Sequence, residues 1–225
     1  MVNRTQVALN DAAEWLGDWH PLAEQLGSAD GLVSLASASS LLRLQPVSDL
    51  PSLRRLLREY QGQVLVPLEL PAILSAFGFA SQNGARELVA LDRRLAVEPL
   101  LRSFADPSRR VGQSQLRKLR PLRDVRMVQR YWQAVEAGQA HGWHTLVYGL
   151  TLAIYSLPPR QGLLGYGHQT TRGFVYAAAR GLRLSERACR RVFDEACDGL
   201  PGAVESLVRQ DDGRLSGAWR PTISL

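Results

Sequence analysis

A chain of 225 residues with 45% apolar side chains can bury one sizeable core, which excludes a disordered polymer. Aromatics make up only 7%, and the apolar content is mostly Leu, Ala and Val, which favours helices packed on helices over a β-sandwich. The formal charge of +6 would suit a polyanionic partner, but only Lys118 among the 27 basic residues is a lysine and most arginines are interleaved with acids, so nucleic acid is not the expected ligand.

Taken in order, residues 1–21 read as a peripheral amphipathic segment carrying Trp15 and Trp19 and ending before Pro21. Between residues 22 and 44 the apolar positions are separated by Gly27, Gly31 and five serines, which predicts weak helices broken by loops. Ser48 or Asp49 can cap a helix that starts at Pro51 and runs to about Gln61. Pro67 and Pro71 predict a break there, then a new helix through Leu70, Ile73, Leu74 and Phe77. Residues 85–103 carry the strongest periodicity, with Leu88, Leu91, Leu95 and Leu100 facing in and Glu87, Asp92, Arg93 and Arg94 facing out until Pro99 kinks or ends the helix. Asp106-Pro107-Ser108 restarts a basic helix to about Leu119, and Pro121 restarts another through Tyr131, Trp132 and Val135 to Gly138.

Residues 145–157 contain no charge and have apolar side chains around most of the helix circumference, which predicts a central buried helix ended by Pro158 and Pro159. The glycine-rich stretch 161–173 reads as a flexible or closely packed turn, followed by an alanine-rich helix. Ser185 caps a helix to about Cys197, residues 201–208 make a last short helix, and 210–225 form a tail. No repeat or long linker divides the chain, so the expected architecture is all-α: a single compact domain of about eight to ten helices spanning residues 1–225.

Few constellations suggest chemistry. His141 and His144 are three apart, which can place two imidazoles on one helix face, but two ligands do not make a metal site and neither is expected to hold a metal stably. The Gly162-x-x-Gly165-x-Gly167 pattern lacks the preceding strand and following Gly-Lys of a phosphate loop. Asp92 beside Arg93 reads as half of an interhelical ion pair. Cys189 and Cys197 stand about 12 Å apart along one helix, too far to bridge, and read as thiols of a reducing compartment. No apolar run reaches the roughly 20 residues of a membrane span, and the acids at Asp11, Glu14 and Asp18 exclude a signal-peptide core, so a cytoplasmic protein is expected; with no Gly-x-Ser-x-Gly elbow and no distinctive motif beside either cysteine, no catalytic activity is expected. Trp, Tyr and Arg anchor interfaces as well as cores, and Trp15, Trp19, Tyr131, Trp132, Trp143, Tyr148, Tyr155 and Tyr166 are divided between those readings.

Three segments together resemble one family. Arg86 to Leu95 with Asp92-Arg93, then Ser108-Arg109-Arg110-Val111-Gly112, then Gly138-Gln139-Ala140-His141-Gly142-Trp143-His144 leading through Gly149 to Leu157, keep the order and spacing of the urease accessory proteins of the UreF type. Tyr166 to Leu182, with Ala177 to Arg180 before a glycine, adds a fourth piece. The resemblance covers about residues 48–200. It implies an all-helical homodimer that joins a second accessory protein, UreD (also called UreH), and recruits the GTPase UreG, coupling GTP turnover to nickel delivery into apo-urease. No cofactor is bound stably in that scheme; nickel acts on the complex. Arg109, Gly112, His144, Gly149 and Tyr166 are the positions the resemblance marks for partner binding, and charge reversal at Arg109 is expected to weaken GTPase recruitment without unfolding the domain. The chain departs from the family pattern at both ends, where the family engages UreD, and reads as a truncated or divergent copy. The rival reading is a helical regulatory or ligand-binding domain with a basic surface, which would show nucleic-acid affinity with a steep salt dependence.

Overall fold

The structure is a computed structural model that describes residues 31–122 and 125–212. The peripheral segment at 1–21 with its two tryptophans, and the tail beyond residue 212, lie outside the described residues. Ten α-helices occur among the described residues, with one π-helical and one 3-10 stretch and no strand, so the fold is all-α.

After α1 (Gly31–Leu41), a single rod of 32 residues runs from Leu50 to Ser81. It begins as α2 (Leu50–Tyr60), where the Asp49 carboxylate accepts from the Ser52 amide at 2.8 Å while Ser52 Oγ accepts from the Asp49 amide at 3.0 Å. Asp49, not Ser48, is therefore the cap. The break expected at Pro67 does not occur. The helix widens into a π turn over Gln61–Glu69 and continues as α3 (Leu70–Ser81). Proline has no N–H and its ring crowds the carbonyl one α-turn back; the wider register, in which the Leu70 amide reaches the Leu65 carbonyl, accommodates that residue without ending the rod. An 18-residue window of this rod is long and apolar enough to cross a membrane, but 61% of it is buried inside the domain, as befits a core helix.

Next come α4 (Ala85–Val97), closed before Pro99 by a 3-10 turn (Pro99–Phe104), then α5 (Ala105–Leu119) and α6 (Arg126–Glu136). The uncharged stretch becomes α7 (His144–Ile154), buried on nearly all sides. α7 lies across α3 and α5 at the centre of the molecule. Its approach to the rod is set by Gly149, where a Cβ would run into the Ile73 carbonyl and come within 2.9 Å of the Ala76 methyl.

The glycine-rich stretch is not a turn. It forms the first half of α8 (Pro159–Gly181), a 23-residue helix packed on α1, α9 and α10. The cost of glycine within a helix is offset here by close packing: a Cβ at Gly162 would strike the Leu152 side chain, and one at Gly167 would lie 2.5 Å from Leu200. The chain then forms α9 (Glu186–Cys197), capped by Ser185 Oγ, and α10 (Leu200–Asp212), longer than the short helix expected. Cys189 and Cys197 are free and buried, and burial pushes the Cys197 thiol up to about 11. An ion pair from Arg54 to Glu195 at 2.7 Å ties α9 to the start of the rod.

Candidate functional site

Residues 137–143, between α6 and α7, form the point where the segments singled out in the sequence meet. α6 ends in a reversed turn, with the Gly138 amide on the Val135 carbonyl and the Gln139 amide on the Ala134 carbonyl. Gly138 and Gly142 sit at φ of 68° and 73°, backbone angles that favour glycine. A loop of this kind has several amides without helical partners, and they must be satisfied from elsewhere.

They are satisfied by α4 and α5. The Asp92 carboxylate, wholly buried, accepts three hydrogen bonds: from Tyr131 Oη at 2.6 Å, the His141 amide at 2.6 Å and the Gly142 amide at 2.9 Å. Asp92 therefore faces the interior and is not the surface half of an ion pair. Its position follows from the sequence: residue 92 is four after Leu88 and three before Leu95, so it shares their inward face. Burial and the neighbouring Asp92 charge push the Tyr131 hydroxyl well above the usual tyrosine range. Arg93, one position on, points away from the core, and its Nε donates to the Gln139 carbonyl at 2.8 Å.

α5 closes the other side. Ser108 Oγ accepts from the His144 amide at 3.2 Å, capping α7 from another helix where its own N-cap residue Trp143 offers no side-chain bond. Gln113 Nε2 donates to the His141 carbonyl at 2.9 Å. Gly112 lies against the loop backbone so closely that a Cβ would meet the Gly142 carbonyl and come within 2.6 Å of the His144 nitrogen. The Arg109 guanidinium stacks over the Trp143 ring at 5.2 Å, and Trp143 itself is buried. Arg109 is thus half-buried, so a charge reversal there removes a packing contact along with the charge. Arg110, Arg117, Lys118, Arg120 and Arg126 are exposed, leaving a basic surface on this side.

The two histidines do not share a helix face. His141 lies in the loop, and α7 starts only at His144, whose side chain is fully buried. Its ring sits 5.9 Å from that of Tyr166 and 6.0 Å from that of Tyr148. Among the described residues no group of three or more His, Cys, Asp or Glu side chains could hold a metal ion.

Tyr166 connects this junction to a second buried polar group. Glu69, at the end of the π turn, accepts from Tyr60 Oη at 2.7 Å and also from the Tyr166 hydroxyl. Burial raises the Glu69 carboxyl to about 7 against the opposing effect of the two tyrosine hydrogen bonds. Burial and the Glu69 charge hold both tyrosines well above their usual range. Of the other aromatic residues, Trp132 and Tyr148 are half-buried and Tyr155 is 56% exposed.

Arg109, Gly112 and His144 therefore meet at one loop, whereas Gly149 lies further along α7 and Tyr166 stands on α8, its ring beside that of His144. Asp92, Gln113 and Glu69 complete the arrangement without having been picked out as site residues. The signal for Asp92 was its register on α4, and for Glu69 its place inside the apolar run 64–74. Three donors meet the Asp92 carboxylate, two of them amides of this loop, so the arrangement fixes the loop backbone from within. Comparison with protein families gives a match to the UreF model over residues 47–196, two-thirds of the chain, which contains all these residues. No curated protein matches the chain.

Proposed function

The chain belongs to the UreF family of urease accessory proteins, and from that premise we propose that it is a non-catalytic scaffold of urease maturation. In this reading it acts in the cytoplasm as a homodimer, joins UreD and recruits the GTPase UreG, with nickel as the cargo delivered to apo-urease. A scaffold influences a GTPase by binding one nucleotide state better than the other, so its contribution is a rigid surface. The supporting observation is the convergence of Asp92-Arg93, Ser108 to Gly112 and Gly138 to His144 on one loop, where five hydrogen bonds hold the backbone and Arg109 stacks on the Trp143 ring. Three segments far apart in sequence spend their most distinctive residues on the same loop. That investment suits a surface presented to another protein.

The test is a pull-down of the purified full chain against UreD and UreG from the same source, with and without GTP and nickel, followed by the GTPase rate of the complex. A ternary complex with altered GTP turnover is expected. A folded sample that binds neither protein refutes the reading.

A further inference from the structure

On the outer side of the same junction, α4 and α6 enclose an open groove of about 690 Å³. Arg86 and Arg93 stand on α4, seven residues or two turns apart, and Arg130 faces them from α6. Between the arginines the lining is small and apolar, Val89 on α4 and Ala134 on α6. Glu87 is the one carboxylate at the groove, and among the described residues none of the three arginines forms an ion pair. Arg93 is further oriented by its bond to the Gln139 carbonyl, so the groove edge is continuous with the loop that Asp92 fixes from inside.

We infer that this groove binds an acidic amphipathic helix of a protein partner, with carboxylates about two turns apart pairing with Arg86 and Arg93 and a small apolar face lying on Val89 and Ala134. Two α4 positions seven apart are separated by roughly 10 Å along the axis, and a helix running alongside reproduces that spacing with its own residues seven apart. Guanidinium forks pair carboxylates bidentately, and the apolar strip between them gains from burying methyl groups, which a free phosphate or a nucleic-acid backbone would leave uncovered. Arg86 and Arg130 are exposed, so neither contributes to the core. The inference extends the scaffold reading by assigning a surface to a partner, and it is tested apart from that reading.

The probe is a labelled 15-residue helical peptide with two glutamates seven apart flanking alanine and leucine, titrated into the full chain and followed by fluorescence anisotropy. Binding is expected, weakening with salt, and the double variant Arg86→Glu with Arg130→Glu should lower affinity by about tenfold or more. Arg187→Glu with Arg191→Glu, the same charge change on exposed positions of α9, should leave it unchanged. Circular dichroism and the thermal midpoint verify that both variants are folded. Equal binding by the groove variant, no binding by the wild-type chain, or displacement of the peptide by an equal concentration of a single-stranded oligonucleotide would each overturn the inference. Loss of UreD and UreG in the pull-down, with peptide binding intact, would count against the scaffold reading alone.

Discussion

Replacing Asp92 by Asn is the sharpest perturbation of the loop, because it keeps the side-chain volume and changes only the hydrogen-bonding. In the native arrangement Oδ1 accepts from the His141 amide while Oδ2 accepts from both Tyr131 Oη and the Gly142 amide. An asparagine has one acceptor oxygen. If that oxygen takes the place of Oδ2, the amide NH2 faces the His141 N–H, two donors held at the 2.6 Å that a strong hydrogen bond had required. The reversed orientation strands the Tyr131 hydroxyl and the Gly142 amide instead. Each buried donor left unsatisfied costs about 1–3 kcal/mol, and loss of the charge-assisted character weakens the bonds that survive, so Asp92→Asn should destabilise the domain by about 2–4 kcal/mol. Urea unfolding reads this as a lower midpoint at unchanged slope. Hydrogen exchange locates it, with protection at the His141 and Gly142 amides falling more than protection in α3. In Tyr131→Phe, which removes one of the three donors in advance, the added cost of Asp92→Asn should be smaller. A loss below about 0.5 kcal/mol with unchanged protection at both amides would refute the assignment of Asp92 as the group that holds the loop.

Gly112→Ala places a methyl against the Gly142 carbonyl and the His144 amide, backbone that cannot rotate away, and should cost about 2–3 kcal/mol in urea unfolding; a cost like that of an exposed substitution would contradict the close approach. Glu69, 6% exposed, has a native-state pKa of about 7 against 4.5 in an unfolded chain, so the native state holds the extra proton between those values and stability falls as pH rises from about 4.5 to 7, by about 3 kcal/mol in total, then levels off. Urea midpoints from pH 5 to pH 8 should show this loss in the wild type and a flatter profile in Glu69→Gln, and parallel profiles would argue against a buried, titrating Glu69. Arg109→Ala removes the guanidinium over Trp143 and should cost about 0.5–2 kcal/mol and raise Trp143 fluorescence quenching by iodide; unchanged quenching and stability would show the stack to be incidental.

How much of this was legible in the sequence depends on the range of the interaction responsible. Where a local rule decided the outcome, reading worked: Ser185 caps α9, Pro99 follows the end of α4, and the uncharged stretch after His144 is the buried centre. The failures share a cause, a tertiary contact that outweighed a local preference. Pro67 and the glycines of α8 are breakers by propensity, at roughly 1–3 kcal/mol each, but helices of 32 and 23 residues recover more than that by burying their apolar faces against their neighbours. For Gly162 and Gly167 the breaker itself contributes to burial, since the missing Cβ leaves room for the Leu152 and Leu200 side chains to pack against the helix.

Asp92 and Arg93 show the same division at a single dipeptide. Adjacent helical residues differ by about 100° around the axis, so one can enter the core while its neighbour reaches the surface, yet a charged pair reads as one polar patch in a linear sequence. The geometry separates the two: the carboxylate fixes the loop from within through two amides, and the guanidinium grips the same loop from outside through the Gln139 carbonyl. A substitution at Asp92 should therefore be felt first as stability and one at Arg93 first as recognition. Side by side on α4, the two residues couple the rigidity of the loop to the charge displayed beside it.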